Sequence, residues 1–144
     1  MRALLLPLLA ISLSACAGKL PAPDPQRAWI EVHPEPSDTL MANRLDGKRW
    51  NDGRYFQVDP GTHELEVRYQ FEIGGGAGGM GGMGMNAEPS LLTCYLEIRY
   101  DGFSAGQRYR LEARNAANQP MAWLYDEQRK VLARNEIMPR CGPF

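Results

Sequence analysis

Histidine is nearly absent from this chain: two stand among 144 residues, His33 and His63. That leaves few options for an acid–base or metal centre built on imidazole. Cysteine is scarce too, with three residues and no Cys-x-x-Cys pair to support thiol redox chemistry. Neither sign of charge dominates: 16 basic residues face 17 acidic ones, for a net charge of -1. A general nucleic-acid binder needs a basic footprint that this balance does not supply. There is one long apolar run, Ala3 to Ile11, and none after it approaches the ~20 residues of a spanning helix. No segment carries a convincing helical stripe. The length suits one packed domain and not two.

What is present begins with an address. Met1–Ala15 has a basic start at Arg2, the apolar run and then small residues, which is the pattern of a cleaved secretory signal. Pro7 interrupts the run and no polar face accompanies it, against a buried helix. Leu13-Ser14-Ala15-Cys16 then resembles the lipobox of bacterial lipoproteins. The resemblance implies that the thiol of Cys16 takes a diacylglycerol, that cleavage falls just before it, and that the new amino group is acylated. Two or more chains make such an anchor stable. Ala17, which is not Asp, implies the outer membrane, periplasmic face, by the default of that family.

Lipidation of Cys16 would also resolve an odd cysteine count. It leaves Cys94 and Cys141 in an oxidising compartment, where a disulfide between them is expected. It would close a loop of about 48 residues and pin the C-terminal tail to an inner strand. Residues 16–26 contain three prolines and read as an extended lipidated tether. The folded domain is expected over residues 27–144.

Beyond the tether the hydrophobic period is two. Leu65, Val67, Tyr69, Phe71 and Ile73 alternate with Glu64, Glu66, Arg68, Gln70 and Glu72. Leu92, Cys94, Leu96, Ile98 and Tyr100 alternate with Thr93, Tyr95, Glu97, Arg99 and Asp101. Both patterns predict strands with one buried and one wet face. Arg108 to Arg114, Met121 to Tyr125, Lys130 to Arg134, Ala28 to His33, Thr39 to Leu45 and Tyr55 to Val58 are further strands, with Trp123 assigned to the core. Asp46-Gly47, Asn51-Asp52-Gly53, Asp59-Pro60-Gly61 and Asp101-Gly102 punctuate them as turns. The expected fold is all-β, an antiparallel sandwich of about seven or eight strands. A short helix has room near Asn115 to Asn118. Leu45-Asp46-Gly47-Lys48, followed by Pro60-Gly61-Thr62-His63-Glu64-Leu65-Glu66-Val67, also resembles the PEGA-type β-repeat over about residues 30–73. That likeness implies a small surface module without catalysis.

Gly74 to Met85 holds eight of the fifteen glycines. With residues up to Pro89 it forms a long connection that predicts a mobile hairpin tip over 74–89. Two sharper readings stand beside it. Met80, Met83 and Met85 are soft thioether ligands suited to Cu(I), or the methionines offer an adaptable apolar contact to a partner or a membrane.

Two motif matches lack their context. Gly102-Phe103-Ser104-Ala105-Gly106 fits G-x-S-x-G, but a strand follows it and both histidines precede it. Gly74, Gly76 and Gly79 fit G-x-G-x-x-G without a helix to follow. The alternating Glu66/Arg68, Glu97/Arg99 and Arg110/Glu112/Arg114 are expected as cross-strand ion pairs. No catalytic residue, cofactor or resident metal is expected. Trp29, Trp50 and Tyr95 are candidate contact residues for a partner. The expected role is non-catalytic: binding or structural, toward an envelope protein or polymer, with copper handling as the alternative.

Overall fold

The computed structural model describes residues 18–73, 90–117 and 119–142. Ten strands follow one another: β1 (Ala28–His33), β2 (Thr39–Leu45), β3 (Lys48–Arg49), β4 (Tyr55–Val58), β5 (Gly61–Ile73), β6 (Ser90–Phe103), β7 (Arg108–Ala116), β8 (Gln119–Tyr125), β9 (Val131–Arg134) and β10 (Arg140–Gly142). They form two five-stranded sheets, ordered β4-β1-β7-β8-β9 and β10-β6-β5-β2-β3. The architecture is a β-sandwich, as the period-two pattern requires.

The strand count exceeds seven or eight because β3 and β10 have only two and three residues, too short to show alternation. The sandwich is not wholly antiparallel either: β1 pairs with β7 in parallel, Trp29 opposite Arg108 and His33 opposite Glu112. Both strands start at the same end of the molecule. There the link from β6 to β7 crosses between sheets, and Gly106 N–H donates to Arg27 O at 2.9 Å. The expected helix near residue 115 is absent from the described residues. Instead β7 runs on to Ala116, and Ala117 takes a positive φ of 51° at the reversal into β8. Asp46 and Gly47, at φ 49° and 75°, make the two-residue reversal from β2 to β3, a conformation that favours the Asp-Gly pair.

The inner faces of both sheets make the core. Ile30, Val32, Phe56, Val58, Leu111 and Leu124 from one sheet meet Leu65, Val67, Tyr69, Leu96 and Ile98 from the other. Burying each such side chain is worth about 1.5–3 kcal/mol. Trp123 does not join them. In β8 the inward positions fall to Ala122 and Leu124, so Trp123 points outward, half-buried, with the Arg114 guanidinium 5.8 Å from its ring. Its bulk suggested the core, but register decides the face.

Candidate interaction surface

Ionisable groups on the outer faces are held in two networks. On the β1-containing sheet Glu112 is 4 % exposed. Arg110 and Arg129 each donate to Glu112 Oε1 at 2.6 Å, and Arg114 donates to Oε2 at 3.0 Å. Arg129 takes a positive φ of 65° in the turn before β9 and lies 4.7 Å from the Tyr125 ring. Burial pushes the Glu112 carboxyl up, but hydrogen bonds from Arg129 and Arg110 outweigh it and hold it below the ordinary glutamate range. On the other sheet Glu66 is also buried. It accepts from Asn43 and Arg140, each at 2.5 Å, and pairs with Arg44 at 3.4 Å. Asn43 reaches it because β2 shifts register between Ala42 and Arg44. The expected Glu66/Arg68 alternation did not reveal these partners. Arg68 turns to the Met41 sulfur, while Arg140 arrives from 74 residues away.

His63, the third residue of β5, has both ring nitrogens against acceptors, Asp46 Oδ2 at 2.7 Å and Asp59 O at 2.9 Å. Neither nitrogen is turned to Ser104, whose hydroxyl lies 3.4 Å from Gly102 O in the link that crosses from β6 to β7. The G-x-S-x-G match is therefore turn chemistry. His33 closes β1 in the opposite sheet. Among the described residues no three His, Cys, Asp or Glu side chains gather as a metal site. Cys16, Met80, Met83 and Met85, and the glycines of the G-x-G-x-x-G match, lie outside the described residues.

The three candidate contact aromatics differ. Trp29 is 6 % exposed and stacks on Tyr55 at 4.2 Å, so it is not a free recognition surface. Trp50 is half-buried against the core and donates its indole N–H to Tyr55 O at 2.6 Å. Tyr95 is half-buried with the Arg140 guanidinium 5.8 Å from its ring.

The exposed apolar surface lies elsewhere. Residues 135–139 cross from the edge of one sheet, β9, to the edge of the other, β10, and the Cys94–Cys141 disulfide fastens the end of this strap. Ile137 and Met138 on it are 66 % and 88 % exposed. One groove of about 370 Å³ opens between β6 and β9, lined by Glu97, Arg99, Tyr100, Leu132, Ala133 and Ile137 among others. A second, of about 520 Å³, lies between the strap and the start of β8 at Pro120 and Met121. Alternation could not find this surface. Its one sequence signal is the Ile-Met-Pro cluster in a segment otherwise rich in charge.

At the opposite edge, the segment before β1 is docked rather than free. Arg54 Nη1 donates to Gly18 O at 2.6 Å, and Asp24 N–H donates to Gln57 Oε1 at 3.1 Å. These contacts run the segment back along edge strand β4. No helix among the described residues is long and apolar enough to cross a membrane. Compared with known proteins, the chain matches no family model, no curated sequence and no solved structure.

Proposed function

We propose that the chain is a lipid-anchored envelope protein, facing the periplasm from the outer membrane, with a non-catalytic binding or structural role toward an envelope protein or polymer. The lipobox at residues 13–16 supports the anchor. The observation that carries the reading further is the docked segment beside β4. Cys16 stands two residues before Gly18, a reach of at most about 7 Å. With Gly18 held on Arg54, an acyl group on Cys16 would bring the β4 edge against the headgroups. The strap and its grooves, at the far edge of the sandwich, would then face away from the lipid and be open to a partner. The ion-paired carboxylates support binding over chemistry: Glu66 and Glu112 are committed to arginines.

Intact-mass measurement on protein from native membranes tests the anchor. The expected mass is that of residues 16–144 plus diacylglyceryl and acyl groups, with Cys16→Ser released from the membrane fraction. An unmodified N-terminus, or a Cys16→Ser chain still membrane-bound, would overturn it. Crosslinking of native envelopes tests the role. Crosslinks from the strap to an envelope component are expected, and capture of lipoprotein-sorting machinery alone would count against it.

A further inference from the structure

We propose that the open edge of β6 is a strand-addition site, where an extended segment of a partner polypeptide continues the sheet beyond β10. This rests on the reading of the domain as a binding module and is independent of its anchor.

The backbone carries the argument. β10 pairs with β6 only at Thr93, Cys94 and Tyr95. On its other side β6 pairs with β5 along its whole length, from Ser90 to Phe103. Cys94 and Cys141 face each other with Cα atoms 4.1 Å apart, the spacing of a non-hydrogen-bonded antiparallel pair. The residues whose amides and carbonyls point to the β10 side are thus Thr93 and Tyr95. Two and four residues on from Tyr95, the same groups of Glu97 and Arg99 point the same way. Among the described residues no strand pairs with them there. They form a row of ladder groups one strand short of completion, in line with a strand that is already in place.

The space beside them fits a strand. The 370 Å³ groove separates this edge from β9 of the facing sheet, with Leu132, Ala133 and Ile137 on its far wall. Ile98 on β6 points to the core, whereas Glu97 and Arg99 point outward. An added strand would alternate in the same way. Its inward side chains would enter the groove against Leu132 and Ile137, and its outward ones would stand beside Glu97 and Arg99. An exposed edge is a hazard that charged side chains commonly blunt. Here the charges alternate in sign. They oppose apolar stacking. Arg140 already reaches Glu97 Oε1 at 3.3 Å from the β10 side, and a partner with an acidic residue opposite Arg99 and a basic one opposite Glu97 would extend that alternation. The occupant is therefore an extended peptide with apolar residues at every second position and that charge order. Main-chain bonds give such a complex its affinity and the alternate pockets its specificity.

Amide hydrogen exchange on the purified full-length chain tests this, with a capped pentapeptide of sequence Thr, Val, Glu, Val, Lys as probe. In the free chain the amides of Glu97 and Arg99 should exchange freely, while those of Leu96 and Ile98, bonded to β5, are protected. Saturating peptide should slow Glu97 and Arg99 at least about tenfold. Arg99→Pro removes one of these donors, and Leu132→Lys narrows the groove without touching β6. Each should weaken the peptide by at least about tenfold, with native chemical-shift dispersion retained. The proposal is overturned by slow exchange of Glu97 and Arg99 in the free chain, by perturbations confined to other residues, or by unchanged affinity in both variants. Protection that rises with protein concentration without peptide would assign the edge to self-pairing and overturn it equally. None of these outcomes depends on the mass of the N-terminus, so this proposal and the anchor fail separately.

Discussion

Cys141 stands directly opposite Cys94 in the β10–β6 ladder, and the two sulfurs are bonded. The bond spans a sequence separation of 47 residues and fastens a three-residue strand whose other ties are its short ladder with Thr93 and Tyr95 and the ion pair of Arg140 with Glu66. Cys94 is fully buried, so its substitution also leaves a void. Cys141→Ser is therefore the cleaner variant. It should cost roughly 3–4 kcal/mol in urea unfolding. It should also free the Tyr95 amide, so that it exchanges like that of Arg99. A loss under about 1 kcal/mol would show that the strap holds without its staple.

Glu112 gives the acid limb of stability a specific origin. Its folded-state pKa lies below the ordinary 4.5. A carboxyl depressed in this way contributes stability that is complete above the unfolded value and is lost as the pH falls through the folded one. Glu112→Gln should destabilise the domain at pH 7 by about 1–3 kcal/mol, since the arginines around it are partly solvated. It should also flatten the decline below about pH 4.5. Thermal unfolding followed between pH 3 and 7 for both proteins would read this, and parallel curves would contradict it.

Tyr69 is fully buried and its hydroxyl donates to Asp38 at 2.5 Å. Burial first, and then the Asp38 carboxylate, hold its pKa well above the ordinary 10.0. The folded state thus keeps a proton that the unfolded chain loses, and stability should fall as the pH rises past about 10. Tyr69→Phe should cost about 1 kcal/mol at pH 7 and remove that share of the alkaline loss. Denaturant midpoints at pH 7 and pH 11 provide the comparison; an unchanged alkaline slope would refute the assignment.

The β5–β6 ladder is continuous as far as Ile73 opposite Ser90. The residues that join these strands are not needed for any pair in it. Deleting residues 75–84 should leave stability within about 1 kcal/mol, because shortening a long connection changes closure entropy only slightly. Loss of cooperative unfolding in that variant would show that the glycine–methionine stretch has a structural role.

Sequence alone determined the layered all-β architecture. Alternation at Leu65 to Ile73 and at Leu92 to Tyr100 selects a strand with one wet face whatever lies beside it, because successive side chains point to opposite sides. Short turn pairs such as Asp46-Gly47 were equally legible, since their backbone demands are local. Cys94 and Cys141 could be paired by elimination once Cys16 was assigned elsewhere. Tertiary structure decided the rest, because it depends on which strands become neighbours. Parallel pairing of β1 with β7 follows from a crossing between sheets that no local pattern encodes. Trp123 turned outward because its register was fixed by Ala122 and Leu124. Arg140 at Glu66 and Arg129 at Glu112 come from a distant strand and turn, and the unpaired row at Glu97 and Arg99 exists only because β10 begins no earlier than Arg140, opposite Tyr95.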